Sequence, residues 1–195
     1  MRQLIVSMFQ SLDGVIQAPG LPDEDPSGGF PHGGWQRKYF DPIFGKAITQ
    51  TLTSAGGLVL GRTTWEIFAG HWPHQPAEDP IAPIMNGLPK YVASTTLREP
   101  LGWQGSTLLA GDVAAAVSNL KQQSGKDLLV IGSSRLARTL MKHHLVDEYR
   151  LMIHPLLLGN GKRLFEEGGP ADDLRLVEVN TTTTGVLMAT WRTIG

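Results

Sequence analysis

Two short strings in this chain carry the residue types and spacing that bind phosphate. In the first, the apolar run Leu58-Val59-Leu60 ends at Gly61, and Arg62-Thr63-Thr64-Trp65-Glu66 follows before Ile67 and Phe68. A buried strand turning into a helix through Gly61 fits these letters, with Thr63-x-x-Glu66 as a capping box. The first amides of a helix have no partner within it, and the dipole adds about half a positive charge there, so such a turn attracts an anion. Arg62 brings a guanidinium that can fork onto phosphate oxygens, and Thr63 and Thr64 add hydroxyl donors. The same letters also suit a plain turn in which Thr63 only caps and Arg62 is solvated. The second string is the strand Leu128 to Ile131, then Gly132-Ser133-Ser134, then a helix with Leu136, Ala137, Leu140 and Met141 on its apolar face. Two such junctions at the carboxyl ends of neighbouring parallel strands can hold the two ends of a dinucleotide.

Groups for acid–base chemistry are sparser. Asp13 and Asp41 are the candidates to supply or relay a proton, with a raised pKa if the pocket is apolar, and both also suit ordinary turn or helix-surface positions. Asp147 and Glu148 stand at the start of a strand, where a solvated or capping role is expected. Six histidines invite a metal, above all His71-x-x-His74 and His143-His144. Pro73 prevents a regular helix from aligning the first pair, successive helical positions do not face one site, and no carboxylate completes either set, so no metal is expected. Gly132-Ser133-Ser134 lacks the closing glycine of a nucleophile elbow, Leu136 standing in that place. Gly159-Asn160-Gly161-Lys162-Arg163 lacks the rest of a phosphate-loop fingerprint and reads as a turn.

The elements that must position these groups follow from periodicity. Residues 2–9 form a β-rich apolar strand ending in the turn Gln10 to Gly14. From Ala18 to Gly34 the chain is rich in Gly and Pro and reads as a lid or a disordered segment. Residues 35–54 are helical, broken or restarted at Pro42, with Phe40, Phe44, Ile48 and Leu52 as an apolar stripe. Five prolines between Gly70 and Pro89 impose a wandering surface segment, a plausible second flap. Strands follow at 90–94 and 106–110, then a helix at 113–123 capped by Asp112. A strand at 146–153 and a hairpin of 175–182 with 186–193 complete one mixed α/β domain.

The bulk composition excludes several classes. The 195 residues suit one domain with a substantial core, and 41% hydrophobic against 18% charged residues argues against disorder. Basic and acidic residues number 17 and 18, with no basic stripe interleaved with aromatics, so a nucleic-acid partner is disfavoured. The absence of cysteine removes disulfides, thiolate zinc sites and cysteine nucleophiles together. No apolar run of membrane-spanning length and no signal peptide are found, so a cytoplasmic protein without membrane contact is expected.

The string Leu60 to Glu66 resembles the Gly-Arg-x-Thr-Trp/Tyr-Glu signature of dihydrofolate reductases and their relatives. Met1 to Gly14, with Ser11-Leu12-Asp13-Gly14, is similar to the first strand of the riboflavin-biosynthesis reductase domain. Lys90 to Leu97 is similar to that family's adenine-side strand, and Asp127 to Phe165 is the strongest match. On these residues the chain is identified as a stand-alone member of the dihydrofolate-reductase-like superfamily, of the riboflavin-reductase C-terminal-domain type. The resemblance implies a single α/β domain over residues 1–195, with a mixed, mostly parallel sheet flanked by helices and a C-terminal antiparallel hairpin. It implies NADPH, held at one phosphate by Gly61, Arg62, Thr63 and Thr64, on the adenosine side by Ser94, Thr95 and Thr96, and at the pyrophosphate and nicotinamide by Gly132, Ser133, Ser134, Arg135 and Leu136. Asp13 to Ile16 would lie along the nicotinamide and substrate edge, with Ile16 and Trp35 as substrate contacts.

The activity so implied is hydride transfer to a small heteroaromatic or carbonyl substrate, pterin-like or riboflavin-precursor-like, by a homodimer. The alternative is a non-catalytic nucleotide or small-ligand binder on the same fold. Departures from the family narrow the substrate. Dihydrofolate reductases carry an acidic pterin contact about where Gly45 stands, one turn from Asp41, which weakens a folate assignment. The zinc deaminase domain usually joined to the riboflavin enzyme is absent. Thr95 replaces an arginine, which makes Arg62 the main cation for a 2′-phosphate, and Ser133 and Ser134 replace later glycines of the second turn.

Overall fold

A computed structural model describes residues 1–194. Leu4–Ser11 (β1) is buried on both faces along nearly its whole length, with Leu4, Ile5, Val6, Met8 and Phe9 as its apolar residues, as suits a strand covered by helices on either side. It lies centrally, paired in parallel with Leu128–Ile131 (β5) on one side and Glu148–His154 (β6) on the other. Beyond β5 the parallel run continues through Gly57–Gly61 (β2), Lys90–Ala93 (β3) and Ser106–Leu109 (β4). On the far side the hairpin of Leu174–Thr181 (β7) and Leu187–Thr193 (β8) adds antiparallel to β6, giving the order β4-β3-β2-β5-β1-β6-β8-β7. The expected mixed, mostly parallel sheet with a closing hairpin is therefore observed.

Alternate residues of the central strands feed two cores. Leu4, Val6, Val59 and Val130 pack with Val117 and Leu120 of Val113–Gln122 (α4) and Leu136, Ala137 and Leu140 of Ser134–Lys142 (α5). Ile5, Leu58, Leu60 and Leu129 pack on the opposite face with Leu52 of Pro42–Ser54 (α1), Trp65 of Arg62–His71 (α2) and Met85 of Ala82–Gly87 (α3). The period of two along each strand accounts for this division.

Three helix starts are closed by carboxylates. Asp41 accepts from the Phe44 amide at 2.8 Å, and Asp112 from Ala114 and Ala115 at 2.9 and 3.3 Å. Asp79 does the same for Ile81 and Ala82 before α3. Pro42 takes a first-turn position in α1, where a missing N–H costs nothing.

Two sequence expectations need correction. Phe40 precedes the Asp41 cap, so it leaves the apolar stripe and is 62% exposed. Glu148 is not solvated. It is 1% exposed and held between Arg150 and Arg192 at 2.7 and 2.8 Å, because β6 and β8 pair and bring Arg192 across from it.

Candidate active site

A crevice of about 1010 Å³ opens at the carboxyl ends of β1, β2, β3 and β5. This is where ligands bind in open parallel sheets, and the volume is at the upper end of the range for small-molecule and cofactor sites. The two glycine junctions meet there because β2 and β5 are direct neighbours. The Gly61 amide donates to Ser133 Oγ at 2.9 Å, and a Cβ on Gly132 would stand 3.0 Å from Thr64 Cγ2. Gly132 has φ +69°, a left-handed turn that glycine adopts without strain.

The helices that start at these junctions lack the caps found elsewhere in the fold. The residue before α2 is Gly61 and the residue before α5 is Ser133, and neither contributes a side-chain cap. The expected capping box is not formed, because α2 begins at Arg62 and places Thr63 one residue inside the helix. The opening amides of both helices are consequently free of side-chain acceptors and face one crevice, which is the electrostatic setting for a phosphate. Arg62 is half-exposed and only loosely paired with Glu66, at 3.7 Å.

All twelve residues expected to hold a coenzyme line this crevice: Gly61, Arg62, Thr63, Thr64, Ser94, Thr95, Thr96, Gly132, Ser133, Ser134, Arg135 and Leu136. Two side chains among them are already engaged. Ser133 Oγ bridges to Gly61 rather than standing free, and Ser94 Oγ accepts from the Thr96 and Leu97 amides at 3.1 and 3.0 Å. Of the expected substrate contacts, Ile16 lines the crevice. Trp35 does not: it is buried behind the wall, its Nε1 donating to the Gln17 carbonyl at 2.7 Å and its ring edge-on to His154 at 5.0 Å.

Neither expected proton donor lines the crevice. Asp13 ties the turn after β1 to the segment after β6, accepting from Ser11 Oγ at 2.5 Å and from the Leu158 and Gly159 amides at 3.1 and 2.7 Å. Burial raises its carboxyl, but these donors outweigh that and hold it below its ordinary value. Asp41 joins α1 to the β7–β8 turn through the hydroxyl and amide of Thr183 at 2.6 and 2.7 Å, and the Thr183 hydroxyl with the Phe44 amide lowers its pKa.

The Gly- and Pro-rich segment after Ile16 folds over one end of the crevice, as a lid would. Gln17 Nε2 holds the Asp25 and Ser27 carbonyls at 3.0 and 2.9 Å, and Lys162 closes on Asp25 at 2.6 Å. Lys162, from the turn that resembles no phosphate loop, therefore reaches the crevice. The proline-rich segment after α2 contributes Trp72, Ile81 and Met85 to the lining. Glu24, His71, Gln36 and Trp72 also line it, a polar group that periodicity did not reveal. Among the described residues no cluster of metal-ligating side chains occurs.

A family model for the RibD C-terminal domain matches residues 2–188. The chain belongs to the RibD C-terminal domain family. Within reach of this RibD-type chain are two proteins of Bacillus subtilis (strain 168). The uncharacterized protein YyaP is 28% identical over 192 residues, covering 95% of this chain and 92% of YyaP. The uncharacterized protein YwjB is 27% identical over 119 residues, covering 61% of this chain and 63% of YwjB. A putative riboflavin biosynthesis protein from Shewanella sp. PV-4 superposes with a TM-score of 0.69 at 23% identity, over 99% of both chains. A pyrimidine reductase-like protein from Corynebacterium diphtheriae superposes at 0.67 and 12% identity, over 100% of this chain and 92% of that one. The RibD-type sheet, parallel through β6 and closed by β8 and β7, has the dihydrofolate-reductase-like fold.

Proposed function

We propose that this chain is an NADPH-dependent reductase of a small heteroaromatic or carbonyl substrate, pterin-like or riboflavin-precursor-like. The observation that carries the reading is the pair of uncapped helix starts at Gly61 and Ser133, linked by a hydrogen bond and open to one crevice. Membership in the RibD C-terminal domain family supports it. The residues fit the coenzyme: amides of α2 and α5 suit its phosphates, Arg62 suits a 2′-phosphate, and Ser94 to Thr96 border the adenosine side. Bound there, reduced nicotinamide supplies a hydride. The chain's own part is to orient the acceptor against the apolar wall of Ile16, Ile67, Phe68 and Met85 and to exclude water under the lid.

The proposed working form is a homodimer in the cytoplasm. Supporting a second copy, β7 is an unpaired edge with Leu174, Leu176, Val177 and Val179 each 38–51% exposed. No helix among the described residues is long and apolar enough to cross a membrane.

The test is loss of NADPH absorbance with a panel of pterins, flavin precursors and quinones. Oxidation with one class of acceptor supports the reductase. Tight coenzyme binding without oxidation across the panel identifies instead a nucleotide-binding protein on the same fold.

A further inference from the structure

β7 ends the sheet, and all 8 of its residues are exposed. An open strand edge displays unpaired N–H and C=O groups, which natural sheets blunt with lysine, with proline or with a bulge. β7 contains neither lysine nor proline, and its two charges, Arg175 and Glu178, are opposite in sign. The run Leu174-Arg175-Leu176-Val177-Glu178-Val179 is self-complementary. Set against a second copy running the other way, with the centre between Leu176 and Val177, Arg175 falls opposite Glu178, Leu174 opposite Val179 and Leu176 opposite Val177.

Such a register works only if opposed side chains share a face of the sheet. Arg175 and Glu178 stand an odd number of positions apart, as do Leu174 and Val179, so in a regular strand the members of each pair point to opposite faces. β7 is not regular. Leu176 pairs with Trp191 and Glu178 with Thr190, so Val177 is an extra residue at a bulge. Arg175 and Glu178 then stand opposite Arg192 and Thr190, alternate residues of β8, and therefore lie on one face. Leu174 and Val179 stand opposite Thr193 and Ala189, and both lie on the other face. The bulge that commonly spoils an edge is here what makes both pairs match, and it falls at the centre of symmetry, where each copy carries the same extra residue.

The charges on this strand are unmet within the chain. Arg175 stands directly opposite Arg192, a like-charge cross-strand pair that is unfavourable by itself. Arg192 is drawn to the buried Glu148 at 2.8 Å, whereas Arg175 has no ion pair among the described residues. Nor has Glu178 among them, its Oε1 taking only the Asn180 side-chain amide at 2.7 Å. A carboxylate set beside Arg175 from outside the chain would offset the repulsion from Arg192.

We propose that β7 seats the β7 of a second copy, the two strands pairing antiparallel about a two-fold axis between Leu176 and Val177, so that one sheet runs on into the other. The inference rests on the homodimer reading and assigns its interface and register. In a two-fold contact every pair occurs twice, so Arg175 of each copy meets Glu178 of the other, and Leu174 meets Val179 on the opposite face. The backbone edge supplies the hydrogen bonds, and the alternating apolar and charged side chains select the partner. No residue of β7 lines the crevice, so this surface is separate from coenzyme and substrate binding.

Sedimentation equilibrium of charge-reversal variants of the full chain tests the register. Arg175→Glu sets two carboxylates against each other at both pairs, and Glu178→Arg sets two guanidiniums. Each should raise the dimer dissociation constant about tenfold or more, since two attractive pairs per dimer become repulsive. An equal mixture of the two single variants restores opposite charges at both pairs and should form a heterodimer within about threefold of the wild-type constant. The double variant, Arg175→Glu with Glu178→Arg, should recover the homodimer in the same way. Recovery on mixing also shows that each single variant is folded. A wild-type dimer whose constant neither reversal changes, or variants that stay apart when mixed, overturns the register and leaves a homodimer built on another surface. A wild-type chain that sediments as a monomer overturns the homodimer reading itself, and leaves the β7 edge to a strand of some other protein.

Discussion

The hydroxyl of Ser133 accepts the Gly61 N–H at 2.9 Å, across 72 residues of sequence, and so fixes the spacing of the two helix starts that open on the crevice. Ser133 is 5% exposed, and its Cβ and Oγ lie 3.7 Å from where a Gly61 Cβ would be. The contact is both packing and hydrogen bond.

Ser133→Ala should therefore act on fold and site together. Losing one neutral hydrogen bond costs about 0.5–1.5 kcal/mol of stability, read as a lower denaturant midpoint with unchanged slope. The two junctions would no longer be tied, so NADPH affinity should fall in the same variant. Unchanged affinity beside a lower midpoint would limit Ser133 to the scaffold.

Arg62→Ala should weaken NADPH by about 1–3 kcal/mol, the range for hydrogen bonds to charged groups, and weaken NADH much less. The guanidinium is half-exposed and its Glu66 contact is long, at 3.7 Å, so removing it disturbs little besides the ligand. Equal loss for both coenzymes in a binding titration would refute its assignment to the 2′-phosphate.

The junctions were legible because a glycine separating an apolar run from an amphipathic helix is a local signal. So were the sheet and closing hairpin, whose strands alternate or run apolar within eight residues. What the sequence concealed depends on distant partners. The role of Asp41 is set by Thr183, 142 residues away, and that of Asp13 by the Leu158 amide, 145 residues away. The burial of Glu148 needs Arg192 on β8. Glu24 sits in a Gly- and Pro-rich loop without periodicity, where no pattern says which side chain turns inward. The absence of caps on α2 and α5 was equally hidden, because Thr63 and Glu66 have the spacing of a capping box two residues too late.

The exposed apolar row on β7 predicts an assembly defect when charged. Leu176→Lys places an ammonium on a 51% exposed edge position opposite Trp191 and should convert dimer to monomer in light-scattering chromatography. Wild type eluting as a monomer at the same concentrations would remove the homodimer from the proposal.

Asp41 should behave as a tie rather than as an acid. Its Oδ2 takes the hydroxyl and amide of Thr183 and its Oδ1 the Phe44 amide, so the ionised form is favoured in the folded chain. The Thr183 hydroxyl is the first cause of the lowered pKa and the Phe44 amide the second. A carboxyl whose folded pKa lies below its unfolded value of 3.8 contributes stability that is fully present above that value. The contribution is lost as pH falls through the folded value, because the unfolded chain takes up the proton first. Denaturant unfolding measured across the acid range should show this limb in the wild type and a shallower one in Asp41→Ala, whose stability is also lower near neutral pH. With the α1 cap and the link to the β7–β8 turn both gone, the loss is structural and distant from the crevice, so kcat should change little once the variant is folded. A variant that keeps its stability and acid limb but loses turnover would return Asp41 to the reaction.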